Sequence, residues 1–259
     1  MLKLSIITIN YNNLEGLKRT VESVINQTWQ EFEYVVIDGG STDGSAEYIE
    51  SQNEYFDYWV SEPDKGIYNA MNKGIAKATG EYLLFLNSGD HFFNNDVLKQ
   101  NNELIGSHDI IYFNLQVIDK REVFVKKYPD ELLFSFFIND NLPHVATFIK
   151  ATLFEKVGMY DESLKIVADW RFFVESICKF NCSYKRIDET MTTFYLDGIS
   201  SDSINKDLIT EEGQKVLQSS FKAFIQDSNE LTEFKTIVLN LRKSRKLKFL
   251  VKLGLINKF

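Results

Sequence analysis

The sequence predicts an α/β protein: a parallel sheet wound in βαβ units, a mixed or antiparallel continuation of it, and C-terminal helices. Three observations lead there. Strand and helix patterns alternate through the first 115 residues, the alternation breaks after residue 109, and from Asn205 onward the pattern is essentially all helical. Strands separated by helices must run parallel, because each crossover helix returns the chain to the same end of the sheet.

The elements follow in order. KLSIITI (3–9) is a β-branched apolar run and predicts the first strand. In the next segment Leu14, Leu17, Val21, Val24 and Ile25 recur at helical spacing. YVVID (34–38) predicts a second strand, stopped by the Gly-Gly-Ser-Thr-Asp-Gly turn, with a short helix over about 43–52. FDYWVSE, IYNAMNKGIAKA and EYLLFLN continue as strand, helix and strand. DIIYFNLQVI and REVFVKKY read as strands of the mixed part. Helical patterns then cover about 150–158 and 168–180, and TMTTFYL (190–196) reads as a further short strand. No internal repeat is evident.

Composition narrows the function classes. With 259 residues, 44% of them hydrophobic, the chain can build one large α/β core plus a helical appendage. The net charge of −8 argues against nucleic acid as a partner. The start, MLKLSIITINYNN, lacks a basic region followed by a long apolar stretch, so no secretory leader is predicted. No apolar run approaches the length of a membrane span. Cys178 and Cys182 read as reduced packing thiols, which predicts a cytoplasmic protein. Charge is unevenly placed. The segment 235–259 carries eight Lys or Arg and no acid, leaving 21 basic and 37 acidic side chains, a balance of −16, on the rest. Leu, Ile, Val and Phe alternate with these cations at roughly helical spacing. Two readings stay open: a helix lying on an anionic membrane surface, or one packed on the domain with its lysines solvated.

In a parallel sheet, ligands sit beyond the carboxyl ends of the strands. The polar corners of this chain fall at such ends. Thr8, Asn10 and Tyr11 close the first strand, where a tyrosine ring can stack on a base and the other two can hydrogen-bond; a helix cap beside a buried tyrosine is the plainer alternative. Asp38 closes the second strand, either as an acceptor for a ribose or base, or as a simple turn residue. Lys65 and Gly66 open a helix whose N-terminus favours anions, with Asn69 and Asn72 on one face. Asn87-Ser88-Gly89-Asp90 ends the buried strand EYLLFLN. A hard divalent cation needs only one or two protein carboxylates when substrate phosphates complete its shell, and Asp90 is the candidate ligand.

The segments TINYN, VIDGGSTDG, KGIYNAMNKGIAKATGEYLLFLNSGD and ADWRFF together resemble the family 2 glycosyltransferases over roughly residues 1–200. The resemblance implies an inverting enzyme of GT-A fold: a Rossmann-like βαβ nucleotide-binding half with a mixed central sheet, plus C-terminal helices. It implies a catalytic domain over 1–204, divided into a nucleotide-sugar half (1–115) and an acceptor half (116–204), followed by a helical region (205–259) with the basic tail. A sugar would pass from a nucleotide-sugar donor, by analogy a UDP-sugar, to a glycan or lipid-linked acceptor of bacterial surface polysaccharide. Mn²⁺ or Mg²⁺ bound by Asp90 would bridge the donor diphosphate. Ser88 and Gly89 stand where the family motif carries its first acid, which often contacts ribose. Gly39 follows Asp38 where many relatives carry a second acid, which leaves nucleotides other than UDP open. Asp169 matches the family's catalytic base and Trp170 a sugar platform. His144 matches the acceptor-side segment, and Ser200 lies in a loop resembling one that covers the site. A nucleotidyltransferase would show a Gly-rich, cationic loop after the first strand, which TINYNNLEG lacks. A sugar-nucleotide-binding protein without turnover is the non-enzymatic alternative.

Overall fold

The computed structural model describes residues 3–119, 122–196, 198, 202–253 and 255. It divides into two compact units, Met1–Glu212 and Gly213–Phe259. The first contains β1 (Leu4–Asn10), α1 (Leu14–Ile25), β2 (Phe32–Asp38), α2 (Ser45–Ser51), β3 (Tyr58–Ser61), α3 (Ile67–Lys77) and β4 (Tyr82–Phe85). There follow β5 (His91–Phe92), α4 (Val97–Asn101), β6 (Ile110–Ile118), β7 (Val123–Lys126), α5 (Phe134–Asn139), β8 (Thr147–Lys150), α6 (Thr152–Lys156), α7 (Ala168–Cys178) and β9 (Tyr184–Tyr195).

Among the described residues these strands form one nine-stranded mixed sheet, ordered β3-β2-β1-β4-β8-β6-β9-β5, with β7 beside β6. The first four strands are parallel, as the alternation predicts. β8 then runs antiparallel to both β4 and β6. β1 is buried along its whole length, which is why it reads as a mainly apolar, β-branched run and not as an apolar–polar alternation. Register brings Asn10 beside Asp38 and Asp38 beside Ser61, so the first three strands end in one row.

Three strands differ from the sequence reading, the first being β5, whose two residues, paired with β9, are too few to show a pattern. β8 is a four-residue strand filling the gap between β4 and β6, a length too short to carry a period of its own. β9 starts at Tyr184, six residues before the expected Thr190. Its charged first half, YKRIDE, hides the pattern; pairing with β6 past a register shift at Asn114 makes it a strand. Cys182 lies beyond the end of α7, so the two cysteines do not share a helix face. Both are free thiols, and burial pushes Cys178 up to about 11.

The second unit continues α8 (Lys206–Ser220), whose first turns belong to the first unit, and holds α9 (Lys222–Lys243) and α10 (Arg245–Lys252). No helix among the described residues is long and apolar enough to cross a membrane.

Candidate active site

At the mouth of β1, the Thr8 hydroxyl is fully buried and donates to the Leu86 carbonyl at 2.8 Å, with the Tyr34 hydroxyl 3.1 Å away. It staples β1 to its neighbours, which corrects the expectation of a ligand contact there. Asn10 is also buried, and its Nδ2 donates to Asp38 at 2.7 Å. Tyr11, by contrast, stands 65% exposed.

Asp38 accepts from five donors: Asn10 Nδ2, the backbone N–H of Gly40 and Ser41, Ser41 Oγ at 2.5 Å and Ser61 Oγ at 2.6 Å. Burial alone would raise its pKa, but the bonds from Ser41, Ser61 and Asn10 prevail and hold it below the usual carboxylate range. Its lone pairs are spent on the turn, so of the two readings open to it the turn-forming one describes this structure.

The turn after β4 is stapled to α1. The Thr20 hydroxyl donates to the Asp90 carbonyl at 2.6 Å and accepts from Gly89 N–H at 3.0 Å. Asn13 Nδ2 donates to the Ser88 carbonyl at 3.1 Å. Gly89 has φ +110°, a conformation open to glycine and strained for other residues. The turn thereby carries Asp90 as a largely buried side chain at the sheet edge. Among the described residues no three His, Cys, Asp or Glu side chains cluster as a ready-made metal cage. The same turn carries Asn87 Oδ1, which is buried without a protein partner. Two hard oxygen donors in one turn fit a divalent cation that takes the rest of its shell from phosphates.

Asp169 lies in the first turn of α7 and is 8% exposed. Its Oδ1 lies 2.8 Å from the Tyr68 hydroxyl; its Oδ2 accepts from Asn141 Nδ2 at 3.0 Å and lies 3.2 Å from His144 Nδ1. His144 Nε2 is 3.1 Å from Asn87 Nδ2. One imidazole therefore joins the turn that carries Asp90 to Asp169. Burial opposes charge on His144, but Asp169 and then Asp90 outweigh it and raise its pKa. Burial likewise opposes charge on Asp169, and the His144 and Tyr68 contacts lower it. With Asn87 Nδ2 donating to Nε2, the ring donates from Nδ1 to the Asp169 carboxylate, whose charge raises its affinity for a second proton.

Asn69 and Asn72 do not face this locus. Both amides donate to the Glu162 carboxylate at 2.9 Å, and Asn72 also pairs with the backbone of Tyr160. They clamp α3 to the segment before α7, correcting the expectation that they bind a cofactor. Lys65 is an exposed cation near that clamp. Trp170 Nε1 donates to the Phe137 carbonyl at 2.8 Å, tying α7 to α5. Ser200 lies outside the described residues. The structure thus brings Asp90, His144 and Asp169 together and adds Tyr68, Asn87 and Asn141, which no motif in the sequence singled out.

The model for glycosyl transferase family 2 matches residues 5–157. An uncharacterized glycosyltransferase of Mycobacterium tuberculosis is 38% identical over 177 residues, spanning 66% of this chain and 68% of that protein. A PGL/p-HBAD biosynthesis glycosyltransferase of Mycobacterium bovis is 32% identical over 178 residues, spanning 65% and 67%. Among solved structures, S. aureus TarS superposes with a TM-score of 0.63 at 20% identity over 74% of this chain, which spans only 36% of that chain. Mannosyltransferase PcManGT from Pyrobaculum calidifontis, in complex with GDP-Man and Mn²⁺, gives 0.58 at 12% identity over 96% of this chain and 83% of that one.

Proposed function

The chain belongs to glycosyl transferase family 2, with the GT-A fold of its structural neighbours, and on that premise we propose an inverting transfer from a nucleotide-sugar donor to an acceptor hydroxyl. The observation that carries the reading is the convergence of the Asp90 turn and Asp169 on His144. S. aureus TarS 1–349 has been solved with UDP-GlcNAc, which favours a UDP-sugar as the first donor to try.

Asp90 and Asn87 are the residues that would hold Mn²⁺ or Mg²⁺, and a cation there would neutralise charge on the departing diphosphate. The remaining work falls to the chain. Asp169 takes the proton from the acceptor hydroxyl as its oxygen forms a bond to C1 of the sugar. The C1–O bond to the diphosphate breaks on the opposite face, and the electron pair leaves with the diphosphate. Tyr68, Asn141 and His144 aim the carboxylate and keep it ionised. General base help of this kind is worth roughly 10²–10⁴ in rate. The acceptor would be a glycan or lipid-linked saccharide of bacterial surface polysaccharide, met at the inner face of a membrane by the basic tail.

Two substitutions test the roles. Asp169→Asn is expected to lower turnover by about 10²-fold or more while leaving metal-dependent UDP binding intact in calorimetry. Asp90→Ala should lose both turnover and the metal dependence of that binding. Metal-dependent binding unchanged in Asp90→Ala would refute the assignment.

A further inference from the structure

α8 begins beyond the residues that the family model matches, yet it sets a buried carboxylate beside the approach to α7. That residue, Glu212, belongs to the first unit and is 4% exposed. Its Oε1 accepts from the Lys165 N–H at 2.7 Å and its Oε2 from the Ile166 N–H at 3.1 Å. A carboxylate taken out of water is costly unless its oxygens find donors, and both oxygens here are filled by successive backbone groups. These groups lie in the segment that leads into α7 and Asp169. The Ile166 carbonyl in turn accepts from the Tyr68 hydroxyl, which also lies 2.8 Å from Asp169 Oδ1. Tyr68 has one proton for these two acceptors. The place of the Ile166 carbonyl therefore sets how the hydroxyl stands against the carboxylate. Upstream, the segment is pinned to α3 through Glu162, and Lys165 and Ile166 are left to α8.

We propose that Glu212 is a positioning residue for Asp169, acting through Ile166 and Tyr68. The inference rests on the reading of Asp169 as the general base, and adds that a helix outside the matched family segment orients that base. With both oxygens held by backbone N–H groups, Glu212 has nothing left for a substrate. Its effect falls on turnover and not on donor binding.

The test follows UDP release from UDP-GlcNAc with Mn²⁺, where water takes the place of the acceptor hydroxyl and gives its proton to Asp169. The chains compared are wild type, Glu212→Gln, Tyr68→Phe and the double variant. In parallel, the carbon-13 signal of the Asp169 carboxyl, assigned by its loss in Asp169→Asn, reports on the base without turnover. In Glu212→Gln the amide keeps one acceptor but sets its own N–H against a backbone N–H, so the segment must shift. The expected result is a kcat about tenfold lower, with KM for UDP-GlcNAc held within about twofold. The Asp169 signal should move in the direction in which Tyr68→Phe moves it. In the Tyr68→Phe background, Glu212→Gln should change kcat by less than about twofold and move the signal no further, because the link is already cut. Equal loss in both backgrounds, a rise in KM alone, or an unmoved Asp169 signal overturns the assignment. Should Glu212→Gln fold poorly, Tyr68→Phe decides alone: lower kcat with a displaced signal supports the route, and unchanged kcat with an unmoved signal breaks it. Wild type that releases no UDP, while the signals move as stated, would instead count against the donor reading and leave Glu212 assigned.

Discussion

Asp169 shows how much of a residue's chemistry is set by its neighbours. An aspartate in the first turn of a helix is unremarkable, since the positive end of the macrodipole favours it. With Tyr68, Asn141 and His144 around its two oxygens, it becomes an oriented anion. The pairing has a pH signature. His144 is raised above its unfolded value, so its contribution to stability is present below the unfolded pKa and disappears as pH rises through the folded one. Asp169 is lowered, so its contribution is present above the unfolded pKa and disappears as pH falls through the folded one. The groups facing His144 are Asp169 from α7 and Asp90 from the turn after β4. Asp169→Asn removes the nearer anion, and NMR titration of the His144 ring protons is expected to give a lower pKa than wild type. An unchanged titration would show that Asp169 does not raise the His144 pKa.

On the scale of elements, α3 is the part that ties the two halves of the sheet edge together. Tyr68 and Asn72, four residues apart, share a helix face. One reaches Asp169 and the other the Tyr160 backbone. The base is thus positioned by the same face that clamps the segment before α7. Asn72→Ala breaks three hydrogen bonds at that contact, at a cost of about 1–3 kcal/mol. The expected outcome is a fall of a few degrees in Tm and a lower kcat through Tyr68 and Asp169, with donor affinity unchanged. Lower donor affinity at an unchanged Tm would return Asn72 to the ligand site.

Across the whole molecule, the balance of charge is the dominant feature. The second unit ends in the basic stretch 235–259, whose described part exposes Ile237, Val238, Leu239, Leu241, Phe249, Leu253 and Leu255. Exposed apolar side chains among cations suit an anionic bilayer, where each charge adds about 1 kcal/mol near the surface. The chain is expected to sediment with liposomes rich in anionic lipid, less so as salt rises, and to lose this on deletion of 240–259. Sedimentation unaffected by the deletion would remove the membrane role.

The alternation of strand and helix, the parallel start of the sheet and the row of polar strand ends were legible in the residues, because side-chain period and turn chemistry act over a few positions. Asp90 stood out for a local reason, as an acid at a strand end, whereas Asp169 was singled out by the family resemblance. The use of each polar group was decided only by the fold. Thr8, Asp38, Asn69 and Asn72 look like ligand groups in sequence, yet their bonding capacity is consumed by partners brought across the chain. Tyr68 drew no notice, yet it meets Asp169 from 101 positions away. A buried polar atom must be satisfied by whatever the fold sets beside it, and no local pattern encodes which atom that will be.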